Sequence, residues 1–150
     1  MTGERRAAPR TGALHHVELW VPDLRRAVRS WGWLLGELGY RVHQEWSAGR
    51  SWILDGTYVV VEQSPVMHPG GHDRLRPGLN HLAFGVADRA GLDALVADAG
   101  DHGWELLFAD RHPHAGGPGT YAAYLADDDG FEVELVAPPG PPSADAPTGP

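Results

Sequence analysis

Four side chains in this 150-residue chain have the types and spacing to do chemistry together: His16, Glu62, His81 and Glu134. The two histidines occupy matching places in an internal repeat. Leu14, His16, Val21 and Asp23 recur as Leu79, His81, Val86 and Asp88. Two imidazoles and two carboxylates make a donor set suited to a divalent metal such as Ni, Zn, Co, Mn or Fe. Other routes are closed. Cysteine and lysine are both absent, which excludes thiol nucleophiles, thiolate ligands and Schiff bases. No Ser stands in a G-x-S-x-G elbow, and no Gly-rich nucleotide fingerprint opens a helix. What remains is Lewis-acid-assisted proton transfer next to a carbonyl.

A lone His on a strand is usually just a polar residue, so the elements that position these four carry the argument. Successive strand side chains point to opposite faces. In HHVELWV, Val17, Leu19 and Val21 form an apolar face with His15, and His16 shares the other face with Glu18 and Trp20. In the matching strand, Leu82, Phe84 and Val86 are apolar and His81 sits with Ala83 and Gly85. The apolar faces should pack on the helix of their own unit, which turns His16 and His81 to the concave side. His15 is expected at the strand's mouth on the helix side. The same parity sets Glu62 with Tyr58 and Val60, and Glu134 with Glu132, on the concave side. Trp20, Glu18, Tyr58 and Glu132 are therefore candidate pocket residues.

Each unit reads strand, helix, then three strands. Leu24, Ala27, Val28, Trp31, Leu34, Leu35 and Leu38 follow helical spacing, as do Leu92, Leu95, Val96 and Ala99. Asp23 and Asp88 are placed as N-caps, and Gly39 and Gly103 lie just past the helix ends. Strands are predicted over residues 40–46, 51–55 and 57–63, then 104–110, 120–126 and 131–137. The fold class is α+β: two βαβββ units forming a cupped, mostly antiparallel sheet with helices on its outer face. The domain is expected over residues 13–137, with units 13–65 and 78–137. Residues 1–12 and the Pro-rich stretch 138–150 are expected to be disordered.

The formal net charge of −8 argues against nucleic acid as a partner, while a cationic small molecule would suit it. No apolar run is long enough to span a membrane, and no secretion signal is evident, so a cytoplasmic protein is expected. His68, His72, His112 and His114 lie in Gly- and Pro-rich loops and are expected to be mainly exposed. The GGPG at 116–119 is read as a turn, because no helix follows it.

The stretches HVELWVPDLRRAVRSW, VVVEQ, GLNHLAFGVADRAGLDAL and YLADDDGFEVELV resemble the vicinal oxygen chelate superfamily, over residues 14–137. That superfamily includes glyoxalase I, bleomycin-resistance proteins, fosfomycin-resistance proteins, methylmalonyl-CoA epimerases and extradiol dioxygenases. The resemblance puts the family's metal positions on His16, Glu62, His81 and Glu134, the two-His, two-Glu complement of glyoxalase I-like members. Dioxygenases and fosfomycin transferases use equivalents of His16, His81 and Glu134 alone. The family's usual Phe-Tyr in the first helix is replaced by Trp31-Gly32-Trp33. The resemblance implies a metal-dependent isomerase or lyase, with Glu134 or Glu62 as base, acting on a small oxygen-bearing substrate. Its alternatives are a metal-free protein that sequesters a natural product, and an iron-dependent dioxygenase in which Glu62 is dispensable. A homodimer is expected, because one βαβββ unit forms only half a cup.

Overall fold

Each helix starts where an aspartate can cap it. Asp23 is extended, and its carboxylate accepts from the Arg26 backbone N–H at 2.9 Å; Asp88 does the same for Gly91 at 2.7 Å. These caps satisfy N–H groups that the first turn leaves without partners. Gly39 and Gly103 have φ of 90° and 83°, the left-handed conformation that lets the chain reverse after a helix.

The computed structural model describes Ala8 and residues 10–140. The first unit runs β1 (His16–Trp20), α1 (Leu24–Glu37), β2 (Arg41–Trp46), β3 (Gly49–Leu54) and β4 (Thr57–Glu62). The second runs β5 (His81–Gly85), α2 (Arg89–Ala99), a single 3-10 turn (Gly100–His102), β6 (Trp104–Leu107), β7 (Tyr121–Asp127) and β8 (Glu132–Ala137). Most of the termini expected to be disordered lie outside the described residues. Residues 10–13 form a turn in which Ala13 N donates to Arg10 O at 3.0 Å.

The α+β class and the repeated unit are observed, with the sheet in two parts. One is ordered β1-β4-β3-β2 and the other β5-β8-β7-β6, each with one parallel and two antiparallel pairs. β3 begins two residues earlier than predicted, and β6 stops at Leu107, where Phe108 turns into the left-handed region at φ 54°.

The helices also depart from expectation. α1 touches β3 and β4 of its own unit, but its largest buried side chain bridges to the other unit. Trp31 donates its Nε1 proton to Asp127 at 3.0 Å and meets Trp104 edge-on, with ring centroids 5.2 Å apart. Trp104 returns a bond from Nε1 to the Ser30 carbonyl at 3.0 Å, and Arg26 pairs with Asp129. Edge-to-face aromatic pairs add about 1 kcal/mol beyond the area they bury. The two apolar stripes therefore share one core: Leu19, Val21, Leu34, Leu35, Val59 and Val61 join Leu92, Leu125, Val133 and Leu135. Among the described residues no helix is long and apolar enough to cross a membrane.

Candidate active site

The second unit brings two of the four candidate donors together. β5 lies parallel to β8, with His81 opposite Glu132 and Ala83 opposite Glu134. His81 Nε2 is 3.2 Å from Glu134 Oε2. Asn80 sets the proton on that ring. Its Nδ2 donates to the Arg74 carbonyl at 2.9 Å, which turns Oδ1 toward His81 Nδ1 at 2.7 Å. An amide oxygen only accepts, so Nδ1 carries the proton. In the neutral imidazole Nε2 then aims its lone pair at a carboxylate oxygen. Two acceptors at that distance need a cation or a proton between them, and an imidazole whose far nitrogen is held by a second residue is typical of metal ligands. The pair fits half of a divalent-metal site.

Glu134 is held from the other side. Tyr124, its cross-strand neighbour on β7, donates its hydroxyl to Oε1 at 3.1 Å. Burial first, and then this bond to Glu134, raise the Tyr124 pKa above the ordinary phenol value.

The first unit arranges its donors differently. His16 stands opposite Tyr58, while Glu62 stands opposite Trp20, four positions further along. At about 3.3 Å per residue that separates His16 and Glu62 by roughly 13 Å along the strands, against half that for His81 and Glu134. The place matching Glu134 is held by Val60. Of the expected donors His16, Glu62, His81 and Glu134, the structure brings His81 and Glu134 together and sets Glu62 apart from His16. Among the described residues, no three His, Asp or Glu side chains gather where they could hold one metal ion. The donors divide between two sheets, and the strand register offsets Glu62 within its own.

His16 stacks on Tyr58, with centroids 4.8 Å apart and planes 5° from parallel. His15 departs from its expected place on the helix side. Lying just before β1, it is free of strand parity; its Nδ1 is 2.9 Å from that of His16, and its ring meets Tyr58 edge-on. Trp20 and Glu18 lie exposed on the concave face, as parity predicts. Burial, and then the Glu18 carboxyl beside it, raise the Glu62 pKa above the ordinary carboxylate range.

Glu132 is buried, and Arg74 Nη1 lies 2.8 Å from its Oε2, so it is committed to an ion pair under the loop joining the units. His72 stacks on Phe131, and His114 Nδ1 donates to the Thr120 carbonyl at 2.6 Å; these loop histidines hold structure. Sequence reasoning passed over Asn80, Arg74, Tyr124, His43 and Trp46. Tyr124 was within reach, because counting back from the Asp-Gly turn places it opposite Glu134. Arg74 and His43 carried no such signal: one lies in a loop, and the other sits at the β2 bulge between Val42 and Gln44, with its ring beside Tyr58.

The model of the glyoxalase/bleomycin resistance protein/dioxygenase superfamily matches residues 15–124. The chain is 46% identical over 127 residues to the uncharacterized protein YqjT of Bacillus subtilis, covering 83% of this chain and 98% of that one. The crystal structure of a "putative glyoxalase" from Bacillus halodurans superposes with a TM-score of 0.81 at 44% identity, covering 85% of this chain and 97% of the other. A glyoxalase/bleomycin resistance protein from Albidiferax ferrireducens shares the fold, with a TM-score of 0.67 at 21% identity over 84% of this chain and 98% of its own. On its repeat, its fold and these matches, the chain belongs to the glyoxalase/bleomycin resistance protein/dioxygenase superfamily.

Proposed function

We propose that this protein is a glyoxalase-like, divalent-metal-dependent isomerase or lyase acting on a small oxygen-bearing substrate. The observation that carries the reading is the His81–Glu134 pair, with Asn80 assigning the ring proton and Tyr124 steadying the carboxylate. His16, His81 and Glu134 are the proposed donors. A metal held by them would supply Lewis-acid stabilisation of negative charge on a substrate oxygen. Of the two carboxylates proposed as base, Glu134 is the one beside His81; to act, its Oε2 would leave the metal and take the proton while the Tyr124 hydroxyl steadies Oε1. Glu134 takes a proton from the carbon beside a carbonyl; the C–H electron pair forms the new C=C bond, and the carbonyl π pair moves onto the oxygen.

Each chain offers half a site, so the proposal includes a homodimer in which a second copy completes the donor set. Trp20 and Trp46, both exposed and in one row across the first sheet, support an unfilled concave face. A cytoplasmic place of action belongs to the same proposal. The same three donors are those of the dioxygenase kind, and Val60 at the place matching Glu134 favours a second reading, an iron-dependent dioxygenase.

Metal analysis of protein purified without chelator tests the first claim. Stoichiometric metal, lost in His81→Ala and Glu134→Ala and kept in His15→Ala, is the expected result. Metal-loaded protein in deuterated water should wash deuterium into an α-hydroxycarbonyl or thiohemiacetal substrate, and Glu134→Gln should suppress it. Metal-free protein that binds an antibiotic tightly and catalyses no exchange would replace this reading with sequestration. A monomer by light scattering across micromolar concentrations would remove the dimer.

A further inference from the structure

We propose that the cross-strand row Trp20, Glu62, Gly49 and Trp46 binds the charged group of a small organic ammonium ligand. This deepens the reading above, since it assumes that the concave face is the substrate side. Register places the four residues in one line across the sheet: Trp20 opposite Glu62, Glu62 opposite Gly49, and Gly49 opposite Trp46. Three strand spacings make the row about 14 Å long, the span of a small metabolite.

The row is built for an indole to lie flat. A Cβ on Gly49 would sit 2.3 Å from Trp46 Cζ2 and 2.6 Å from Cε2, so only glycine lets that ring rest over β3 toward Glu62. Trp20 and Trp46 remain 45% and 39% exposed, uncommon for the largest apolar side chain. Glu62 thus stands between two aromatic groups, with the Glu18 carboxyl beside it. Ser51 lies one row further in on the same face. Its Oγ is fully buried and has no hydrogen-bond partner among the described residues, which leaves a polar atom for a ligand to satisfy.

Charge selects the occupant. No arginine shares the row: Arg50 follows Gly49 on the opposite face and pairs with Glu45 at 2.8 Å, and Arg41 belongs to the far row that contains Tyr58. An anion would meet two carboxylates, and a neutral ring would cover them without pairing them. A weakly hydrated organic cation can use the carboxylate and the indole faces together. The second unit has nothing comparable. Its matching row is Gly85, Val136 and Ala122, so the aromatic and acidic residues are particular to the first sheet rather than a by-product of the repeat.

The test is calorimetric titration of the full chain with choline and with 3,3-dimethylbutan-1-ol, its uncharged isostere, each repeated after chelator treatment. Choline should bind at least tenfold more tightly than the alcohol, with and without metal. Glu62→Gln should weaken choline at least tenfold and leave the alcohol unchanged, and Trp46→Leu should weaken both. Equal affinity for the two probes, no binding of either, or choline binding indifferent to Glu62→Gln would overturn the proposal. Because the chelated protein is included, absence of a metal centre leaves this outcome readable.

Discussion

Asn80 offers the sharpest test of how the His81–Glu134 pair is prepared. It makes two hydrogen bonds with separable jobs: Oδ1 accepts from His81 Nδ1 at 2.7 Å, and Nδ2 donates to the Arg74 carbonyl at 2.9 Å. Asn80→Ala removes both. Losing the residue that orients a metal-bound imidazole typically costs 10- to 100-fold in affinity, or about 1.4 to 2.7 kcal/mol. Loss of the loop bond adds about 1 kcal/mol of destabilisation, the usual net value of a neutral hydrogen bond. Asn80→Asp divides the two effects. Its carboxylate still accepts from Nδ1 but cannot donate to Arg74, so stability should fall while metal affinity stays within a few-fold of the parent. Competition against a chromophoric chelator reads affinity, and urea unfolding reads stability. If Asn80→Asp binds metal as weakly as Asn80→Ala, Asn80 anchors the loop and does not set the ring proton. If both variants bind like the parent, the tautomer reasoning fails.

Gly49→Ala should destabilise by about 1–3 kcal/mol, as overpacking does, and shift Trp fluorescence to the red. Adding Trp46→Ala should restore only part of that loss, because the new methyl also sits 2.8 Å from the immobile Val61 carbonyl oxygen; full restoration would contradict the packing described. Asp127→Asn puts an amide N–H against Trp31 Nε1 or withdraws an acceptor from the Asp129 and Phe131 N–H groups, and should cost about 1–3 kcal/mol by urea unfolding. Burial raises the Asp127 pKa from its ordinary 3.8, so the native state holds that proton more tightly than the unfolded chain. Its contribution to stability therefore falls as pH rises from near 3.8 to the raised native value, and is flat above it. The stability difference between parent and Asp127→Asn should change across that acid window; a constant difference would show the carboxyl to be unperturbed. Tyr124→Phe removes the bond to Glu134 Oε1 and should lower deuterium exchange more than substrate affinity, read as kcat against KM.

Much of this protein was legible in its sequence because the signals are local. Period-2 alternation in HHVELWV put Leu19 and Val21 in the core and left Glu18 and Trp20 exposed, since strand geometry decides which face a residue occupies before any partner is known. Asp23, Asp88, Gly39 and Gly103 marked the helix ends because caps and left-handed turns are properties of a few consecutive residues. The repeat made His16 and His81 equivalent, and both begin their strands. Tertiary structure alone decided what those residues meet. Parity shows that Glu62 and Glu134 share a kind of face but not how far each stands from its histidine; that depends on register between strands dozens of residues apart. Trp31 reached across to Asp127 and Trp104 because a helical stripe specifies burial and leaves the partner open. Asn80, Arg74 and Glu132 became one linked group only when the loop between the units folded over β8, a long-range closure for which local spacing carries no signal.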